Sequence, residues 1–306
     1  MYLLFLLTAC KAPPQAPKDL EELCKYLFAN TYTDDDAAAI AGVNNLSAWV
    51  DQDDRMIEVF EGYQINNLDE SSIANLDDVE REIGDQLAGA ASGYESDFDM
   101  LSLVYATQVE FWDNVSQDEY AFYDREYEQD PTCLLDRSCI RLSYTVHSQS
   151  KMAGLLDVES KYQGQIQWVE GENGWALLQR TWFSEPAKIS PDTFGIAVDY
   201  QYFMSVLLPI EDNKTRRIAA TWIDVEYGVL PVSEDWAKSQ IVESMQSQNT
   251  EIEEWMTANG AYDSDNYDPT CTGKDCVNSG CNQTKTLPFA SWGLFIFALG
   301  MVRRSR

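Results

Sequence analysis

The feature that most constrains the fold is a pair of β-hairpins followed by one long amphipathic helix. The first hairpin is predicted from residues 165–183, with the turn Gly171-Glu172-Asn173-Gly174, and the second from residues 195–228, with the turn Glu211-Asp212-Asn213-Lys214. Asn, Asp and Gly are the residues that tight turns require, and each turn separates two segments rich in β-branched and aromatic residues. The centre of the chain is therefore expected to be an antiparallel sheet.

Alternating segments upstream of the hairpins extend this sheet. Arg141–His147 places Leu142, Tyr144 and Val146 on one face, and Tyr120–Tyr127 alternates aromatic and charged residues. The apolar segments Leu101–Phe111 and Met56–Tyr63 are also predicted as strands.

Three segments have helical periodicity. Asp19–Phe28 repeats apolar residues at intervals of three and four, and Ser71–Ala88 does the same after a serine cap. A last long helix is predicted after Ser233-Glu234-Asp235 from the recurrence of Trp236, Ile241, Met245, Ile252 and Trp255.

This order predicts an α+β fold in which an antiparallel meander sheet packs on a long C-terminal helix. The element order resembles that of helix-grip (START-like) domains. The resemblance implies a sheet wrapped around the final helix and an apolar cavity between them. Other two-layer α+β sandwiches have the same order of elements and stay open as alternatives.

The charge balance and the scarcity of histidine exclude several kinds of function. With 51 acidic and 21 basic residues, the formal net charge is −30, which opposes binding to phosphate backbones, and no nucleic acid is expected as a partner. His147 is the single histidine of the chain, and it is interpreted as a solvated strand residue beside Ser143 and Thr145. Because no nucleotide-binding or hydrolase motif accompanies it, we predict that the protein is not an enzyme.

The N-terminal segment predicts export. An apolar run ends at Leu7-Thr8-Ala9-Cys10, and Lys11-Ala12-Pro13-Pro14 follows at once. The four residues resemble the lipobox of bacterial lipoproteins. That resemblance implies that Cys10 is diacylated and becomes the first residue after signal cleavage. An ordinary export signal, or a buried apolar N-terminus with a chance cysteine, is the alternative.

The C-terminal segment predicts a second membrane contact. Residues 287–302 are almost entirely apolar and precede Arg303-Arg304-Ser305-Arg306, so a short transmembrane helix with a basic cytoplasmic tail is expected. Together with Ser279-Gly280-Cys281, this end resembles the MYXO-CTERM type of bacterial surface-sorting signal. The resemblance implies processing near Cys281, and a plain tail anchor is the alternative.

The remaining cysteines fit an oxidising compartment. Cys133 and Cys139 enclose a short polar loop, as do Cys271 and Cys276, and each pair is predicted to form a disulfide. Cys24 is then left as a buried thiol. A zinc site is disfavoured because neither spacing is that of a zinc knuckle and no histidine lies near, and the clusters Asp34–Asp36 and Asp263–Asp268 lack the pattern of a calcium loop. No metal or cofactor is predicted.

Aromatic and basic residues of the meander allow two interpretations. The aromatic residues either line a ligand cavity or form the core between sheet and helix; they are Trp168, Trp175, Trp182, Tyr200, Tyr202 and Trp222. Three arginines, Arg180, Arg216 and Arg217, are expected to balance neighbouring carboxylates.

These observations predict the following organisation. Its parts are a lipoprotein signal (1–10), a Pro-rich linker (11–18), one α+β globular domain (19–259), a polar spacer (260–286), a transmembrane helix (287–302) and a basic tail (303–306). The expected product is a non-catalytic protein of the bacterial cell envelope, periplasmic or on the cell surface. Its expected partners are membrane lipid, through Cys10 acylation and the C-terminal helix, and an apolar small molecule. A surface module that contacts proteins or polysaccharide is the alternative function.

Overall fold

The computed structural model describes most of the predicted globular domain. The described residues are 15–52, 54–76, 88–116, 118, 120–152, 156–192, 195–210, 213–228 and 233–264.

Helices precede the sheet, and for all but one of those described an acidic cap explains where the helix starts. They are α1 (Leu20–Asn30), α2 (Asp36–Val50), α3 (Arg55–Glu61) and α4 (Glu70–Ile73), with the short strand β1 (Tyr63–Ile65) between α3 and α4. The Asp19 carboxylate accepts the backbone N–H of Glu22 at 3.0 Å, and the Asp35 carboxylate accepts that of Ala37 at the same distance. Such caps satisfy N–H groups that have no partner within the first turn of a helix.

The described strands form one antiparallel sheet in the order β1-β2-β9-β8-β6-β5-β4-β3, and β7 pairs with β5. The strands after β1 are β2 (Ala88–Ser96), β3 (Tyr120–Tyr127), β4 (Arg141–Met152), β5 (Leu156–Gly171), β6 (Gly174–Phe183), β7 (Lys188–Ser190), β8 (Ala197–Ile210) and β9 (Lys214–Glu226). Between β2 and β3 lie α5 (Met100–Val104), a π-helix (Tyr105–Val109) and α6 (Trp112–Val115). A 3₁₀ turn (Pro131–Leu134) precedes β4, and α7 (Glu234–Asn259) follows β9.

Both faces of the sheet are covered by helices. On the face that we name the outer face, α1 and α2 bury residues such as Leu178, Tyr202 and Trp222. On the opposite face, the inner face, α7 and the helical segment 100–115 pack over Ala219 and Ile166, among others. Consecutive strand residues thus contribute to two different cores, as the alternation of side chains in a strand requires.

The structure confirms the predicted α+β class and the antiparallel sheet with a long C-terminal helix. Both predicted hairpins form, as β5–β6 and β8–β9; the first has the expected turn at Gly171–Gly174, and residues 211–212 of the second turn lie outside the described residues. Helix α7 begins after Ser233, whose hydroxyl accepts the backbone N–H of Trp236 at 3.2 Å. The first predicted helix also forms, as α1.

Two predicted strands are helical instead. Residues 55–61 form α3, in which an ion pair joins Arg55 to Glu58 at 2.7 Å, one turn apart. Residues 100–109 form α5 and the π-helix, and the Asp99 carboxylate caps α5 by accepting the N–H of Ser102 at 2.9 Å. A short apolar run is compatible with either structure, and here the caps and the packing over the sheet decide for the helix.

The helix predicted over 71–88 is wrong in its described parts beyond the first residues: α4 ends at Ile73, and Ala88 already belongs to β2. Residues 70–73 are helical, and Asp69, rather than a serine, caps them by accepting the N–H of Ser72 at 2.8 Å. Residues 77–87 lie outside the described residues.

Three of the seven cysteines lie within the described residues. Cys133 and Cys139 are joined as a disulfide with a Cα–Cα distance of 5.2 Å, and Cys24 is a free, fully buried thiol in α1. The predictions for Cys10, Cys271, Cys276, Cys281 and the apolar segment 287–302 fall outside the described residues. Within the described ranges, no helix combines the length and the hydropathy needed to span a bilayer.

Candidate ligand-binding face

Strand pairing brings polar and aromatic side chains together at the centre of the inner face. Gln179 of β6 is opposite Ser205 of β8, and Thr181 is opposite Phe203. On the other side of β6, Thr181 is opposite Gly164 of β5. Because residues in register on neighbouring strands lie side by side, these five positions form one continuous surface.

Solvent reaches this centre although it lies in the middle of a large sheet. Gln179, Thr181 and Phe203 are all half-buried. The outer-face residues between them are sealed: Trp182 and Met204 are each 1% exposed. On the inner face, helix α7 packs against the small side chains of Ala90 and Ala219, which lie nearby. The centre of the inner face is therefore less completely covered than the outer face, and we name this partly exposed region around Gln179, Thr181 and Phe203 the open space.

Uncharged hydroxyl and amide groups line one side of this space. The Gln179 amide donates to the Tyr144 hydroxyl at 2.6 Å and accepts from the Gln108 amide at 3.0 Å. The hydroxyls of Tyr123 and Tyr162 lie 3.0 Å apart. Burial raises the pKa of both Tyr144 and Tyr162, so both phenols stay neutral at physiological pH. A surface of this kind suits a ligand that is largely apolar and forms few hydrogen bonds.

Arg125 holds the helical segment over this side of the sheet. Its guanidinium donates to the Thr107 carbonyl at 2.9 Å and to the Glu110 carbonyl at 2.5 Å, and it stacks over the Tyr127 ring at 5.2 Å. The last carbonyls of a helical segment carry a partial negative charge, which the cation offsets. Arg125 thus fixes the position of the helical segment, which covers the open space, relative to β3.

A second buried arginine lies at the opposite side of the space. Arg217 of β9, 5% exposed, donates through Nε to the Ser205 hydroxyl at 3.1 Å and through Nη1 to the amide oxygen of Asn249 in α7. Its guanidinium also lies 5.8 Å from the centre of the Phe203 ring. Tyr94 of β2 is directly opposite Arg217 in the strand pairing. Burial lowers the pKa of Arg217, since removal from water disfavours its charged form.

The aromatic residues singled out in the sequence do not line this space. Trp182, Tyr202 and Trp222 are buried on the outer face against α1, and Tyr200 stacks on Tyr202 there. Of the cavity and core interpretations, the core interpretation is therefore correct for these four residues. The reason is that the N-terminal helices cover a face that the meander alone would leave open.

The two remaining tryptophans lie at one end of the inner face. The indole N–H of Trp168 donates to the Leu134 carbonyl at 3.1 Å. Arg137 lies over both rings, 4.9 Å from the centre of Trp168 and 5.4 Å from that of Trp175. These contacts close that end of the sheet around the loop that contains the disulfide.

His147 lies on the opposite side of β4 from Tyr144 and Val146. Its Nε2 is 2.9 Å from a carboxylate oxygen of Glu159, and its ring packs edge-on against Phe122. His147 is thus a partly exposed strand residue, as interpreted from the sequence, and it also pairs with a carboxylate of the neighbouring strand. Across the described part of the chain, no group of His, Cys, Asp and Glu side chains is arranged to hold a metal ion.

The three arginines of the meander have different surroundings. Arg216 balances carboxylates as predicted, with Glu95 at 2.7 Å and Asp51 at 2.8 Å. Arg180 lies buried on the outer face and donates to the Phe28 carbonyl, the Asn75 amide and the Gln165 amide. The prediction is wrong for Arg217, which donates to the Ser205 hydroxyl and the Asn249 amide oxygen rather than to a carboxylate.

Sequence reasoning missed the residues that form the open space. Gln179, Thr181 and Phe203 alternate with buried apolar residues in their strands, and this alternation is the signal that distinguishes the two faces. The sequence alone does not say which face is sealed by α1 and α2.

Comparisons with known proteins show partial similarity to solved structures. No family model and no curated protein matches the chain. The chain is similar to the lipid transfer and protein localization domain of human StarD13 (DLC2), with 11% identity over 56% of this chain and 78% of that one and a TM-score of 0.38. It is also similar to a START superfamily protein from Mycobacterium smegmatis, with 11% identity over 56% and 97% of the two chains and a TM-score of 0.36. For Ara h 8.0201 the identity is also 11%, the coverage 56% and 99%, and the TM-score 0.35.

Proposed function

We propose that the protein is a non-catalytic, membrane-anchored protein of the bacterial cell envelope that binds an apolar small molecule between the sheet and α7. The observation that carries the binding proposal is the difference between the two faces of the same strands. On the outer face Trp182 and Met204 are sealed, whereas on the inner face Gln179, Thr181 and Phe203 remain open to solvent.

The helix-grip resemblance of the sequence fits this proposal in the order of its elements. The strand order after β1 begins at β2, continues through β9 and β8, and ends at β3, with α7 on the inner face. In this arrangement the last helix and the segment 100–115 form the two walls opposite the sheet. A half-buried surface of this kind gains free energy when an apolar ligand displaces its water.

Anchoring at the membrane is the second part of the proposal. It is supported by the resemblance of Leu7-Thr8-Ala9-Cys10 to a lipobox and by the apolar segment 287–302 with its basic tail. The disulfide between Cys133 and Cys139 suits an oxidising compartment such as the periplasm or cell surface.

A fluorescent apolar probe tests the binding site. N-phenyl-1-naphthylamine is uncharged and becomes brighter in an apolar environment, and we expect purified protein to enhance its fluorescence saturably. Thr181→Trp places a large ring in the open space and should weaken binding of the probe at least tenfold, about 1.4 kcal/mol.

Thr145→Trp is the matched control, because Thr145 is exposed on the opposite face of β4. It should leave the affinity unchanged, and circular dichroism should show both variants folded. Absence of saturable enhancement with the wild-type protein, or equal affinities for all three proteins, would contradict the proposed site.

A further inference from the structure

Among the described residues, Arg217 is a buried cation without an anionic partner, although the protein is strongly acidic. The chain has 51 acidic residues, yet among the described ones no carboxylate forms an ion pair with Arg217. The adjacent Arg216, on the outer face, pairs with two of them. A buried charge that lacks a counter-ion is costly, because neutral hydrogen-bond acceptors replace only part of its hydration energy.

A buried hydroxyl next to Arg217 also lacks a partner. Tyr94 is 7% exposed and lies opposite Arg217 in the β2–β9 pairing. Its hydroxyl oxygen is buried and has no hydrogen-bond partner among the described residues. Burial raises the pKa of this phenol, so that it keeps its proton and remains a hydrogen-bond donor. A cation and a free donor side by side form the two halves of an anion-binding site.

The acidic residues of α7 do not neutralise Arg217. Glu253 follows Asn249 by one turn and interacts with Ser96, and burial raises the pKa of its carboxyl group. One oxygen of Glu253 is itself buried without a partner. Glu251 accepts from Ser116 at 3.1 Å and thereby faces α6.

We propose that Arg217 and the Tyr94 hydroxyl bind the carboxylate of an amphiphilic ligand whose apolar part lies along the inner face toward Phe203 and Thr181. This inference rests on the proposed function. A monoanionic head group matches the site, because one buried guanidinium offsets one negative charge and a dianion would leave an uncompensated charge away from water.

The inference is tested by displacement of N-phenyl-1-naphthylamine with dodecanoate and with 1-dodecanol at pH 8. These two compounds share an alkyl chain and differ only in the head group. We expect the wild-type protein to bind dodecanoate about 10- to 100-fold more tightly than dodecanol, the range of a charge-assisted hydrogen bond in a buried site. Arg217→Met should reduce this ratio to about one or below. Arg216→Met, which changes the adjacent residue on the outer face, should leave the ratio as it is.

Tyr94→Phe provides a second variant should Arg217→Met fail to fold. It removes a hydroxyl that has no partner in the described structure, so the fold should tolerate it, and the ratio should fall several-fold. A wild-type protein that binds both compounds equally, or a ratio that neither variant changes, would overturn the carboxylate inference and leave the proposed function intact. Failure of both compounds to displace the probe would overturn the inference together with binding of linear amphiphiles.

Discussion

At the residue scale, two buried arginines have opposite roles on the two faces of the sheet. Arg180 donates to the Phe28 carbonyl and so ties α1 to the outer face. Arg217 donates to Asn249 and so reaches across the inner face to α7. Both are almost fully buried in a protein whose other described arginines mostly pair with carboxylates at the surface. Arg180 therefore belongs to the packing of the fold, and Arg217 belongs to the candidate site.

The buried thiol of Cys24 should be chemically inert in the native protein. Burial, with a smaller contribution from Asp19 and Glu21, raises the pKa of Cys24 to about 12. At pH 8 only ~1 in 10,000 such thiols is ionised, and the thiolate is the reactive form. Iodoacetamide at pH 8 should thus leave Cys24 unmodified in the native protein and modify it fully in 6 M guanidinium chloride, as measured by peptide mass spectrometry. Native labelling at the rate of free glutathione would show that Cys24 is accessible.

At the scale of single elements, β5 determines the floor of the open space through a glycine. A Cβ atom at Gly164 would collide with the ring of Tyr144, which packs directly over this position. The Tyr144 hydroxyl in turn accepts the amide of Gln179. The absence of a side chain at Gly164 therefore allows the tyrosine to lie flat on the sheet and keeps the space above it free.

Gly164→Ala should therefore destabilise the protein and disturb the site. We expect a loss of about 1–3 kcal/mol in the free energy of unfolding, measured by urea denaturation, because the displaced Tyr144 ring loses its packing on the sheet and its hydrogen bond with Gln179. Affinity for N-phenyl-1-naphthylamine should fall in parallel. Gln163→Ala, on the same strand but the opposite face, is the control and should cost less than half as much. Equal stability of Gly164→Ala and the wild type would show that Tyr144 has room to move.

The helical segment between β2 and β3 shows how one element serves both fold and site. Gln108, in the π-helix, is 1% exposed and donates to Gln179 on the sheet. Thr107 and Glu110 present their carbonyls to Arg125. Since π-helical turns often occur where function requires an irregular backbone, their position above the candidate site fits the binding proposal.

At the scale of the whole molecule, the sheet lies between two helical layers that cover its two faces to different extents. The N-terminal helices seal the outer face over β6, β8 and β9, where α1 and α2 contribute to a closed core. The inner-face helices pack over small residues such as Ala90 and Ala219 and leave the centre open. One sheet thereby provides a closed core and a binding surface at the same time.

The proposed membrane anchor is tested with the full chain in a bacterial host. We expect palmitate to be incorporated into the wild-type protein, which should fractionate with membranes. Cys10→Ser should abolish the labelling, because the acyl chains require the cysteine, and Cys24→Ser is the matched control that should retain it. Palmitate labelling that persists in Cys10→Ser would refute the lipobox interpretation.

What the sequence by itself determined is the local and periodic part of the structure. The turn at Gly171–Gly174, the alternation in 141–147 and the Ser233 cap are signals within a few residues, and each produced the expected element. The burial of Cys24 also followed from its position on the apolar side of a periodic helix. Such features depend on neighbours in the chain, which the sequence displays directly.

The tertiary structure alone decided which face binds and which face is core. Alternation in a strand shows that two faces exist but not what covers them. Only the structure shows that Trp182 and Trp222 are buried in the core of the outer face, whereas Thr181 and Phe203 on the inner face are partly exposed. The same limit applies to residues 101–109. This apolar run is compatible with a strand or a helix, and its packing over the sheet favours the helix. Arg217 and Tyr94 meet across a pairing of strands more than 100 residues apart in sequence. The site therefore depends on contacts between distant segments, and the free energy of those contacts is set by the assembled fold rather than by any local pattern.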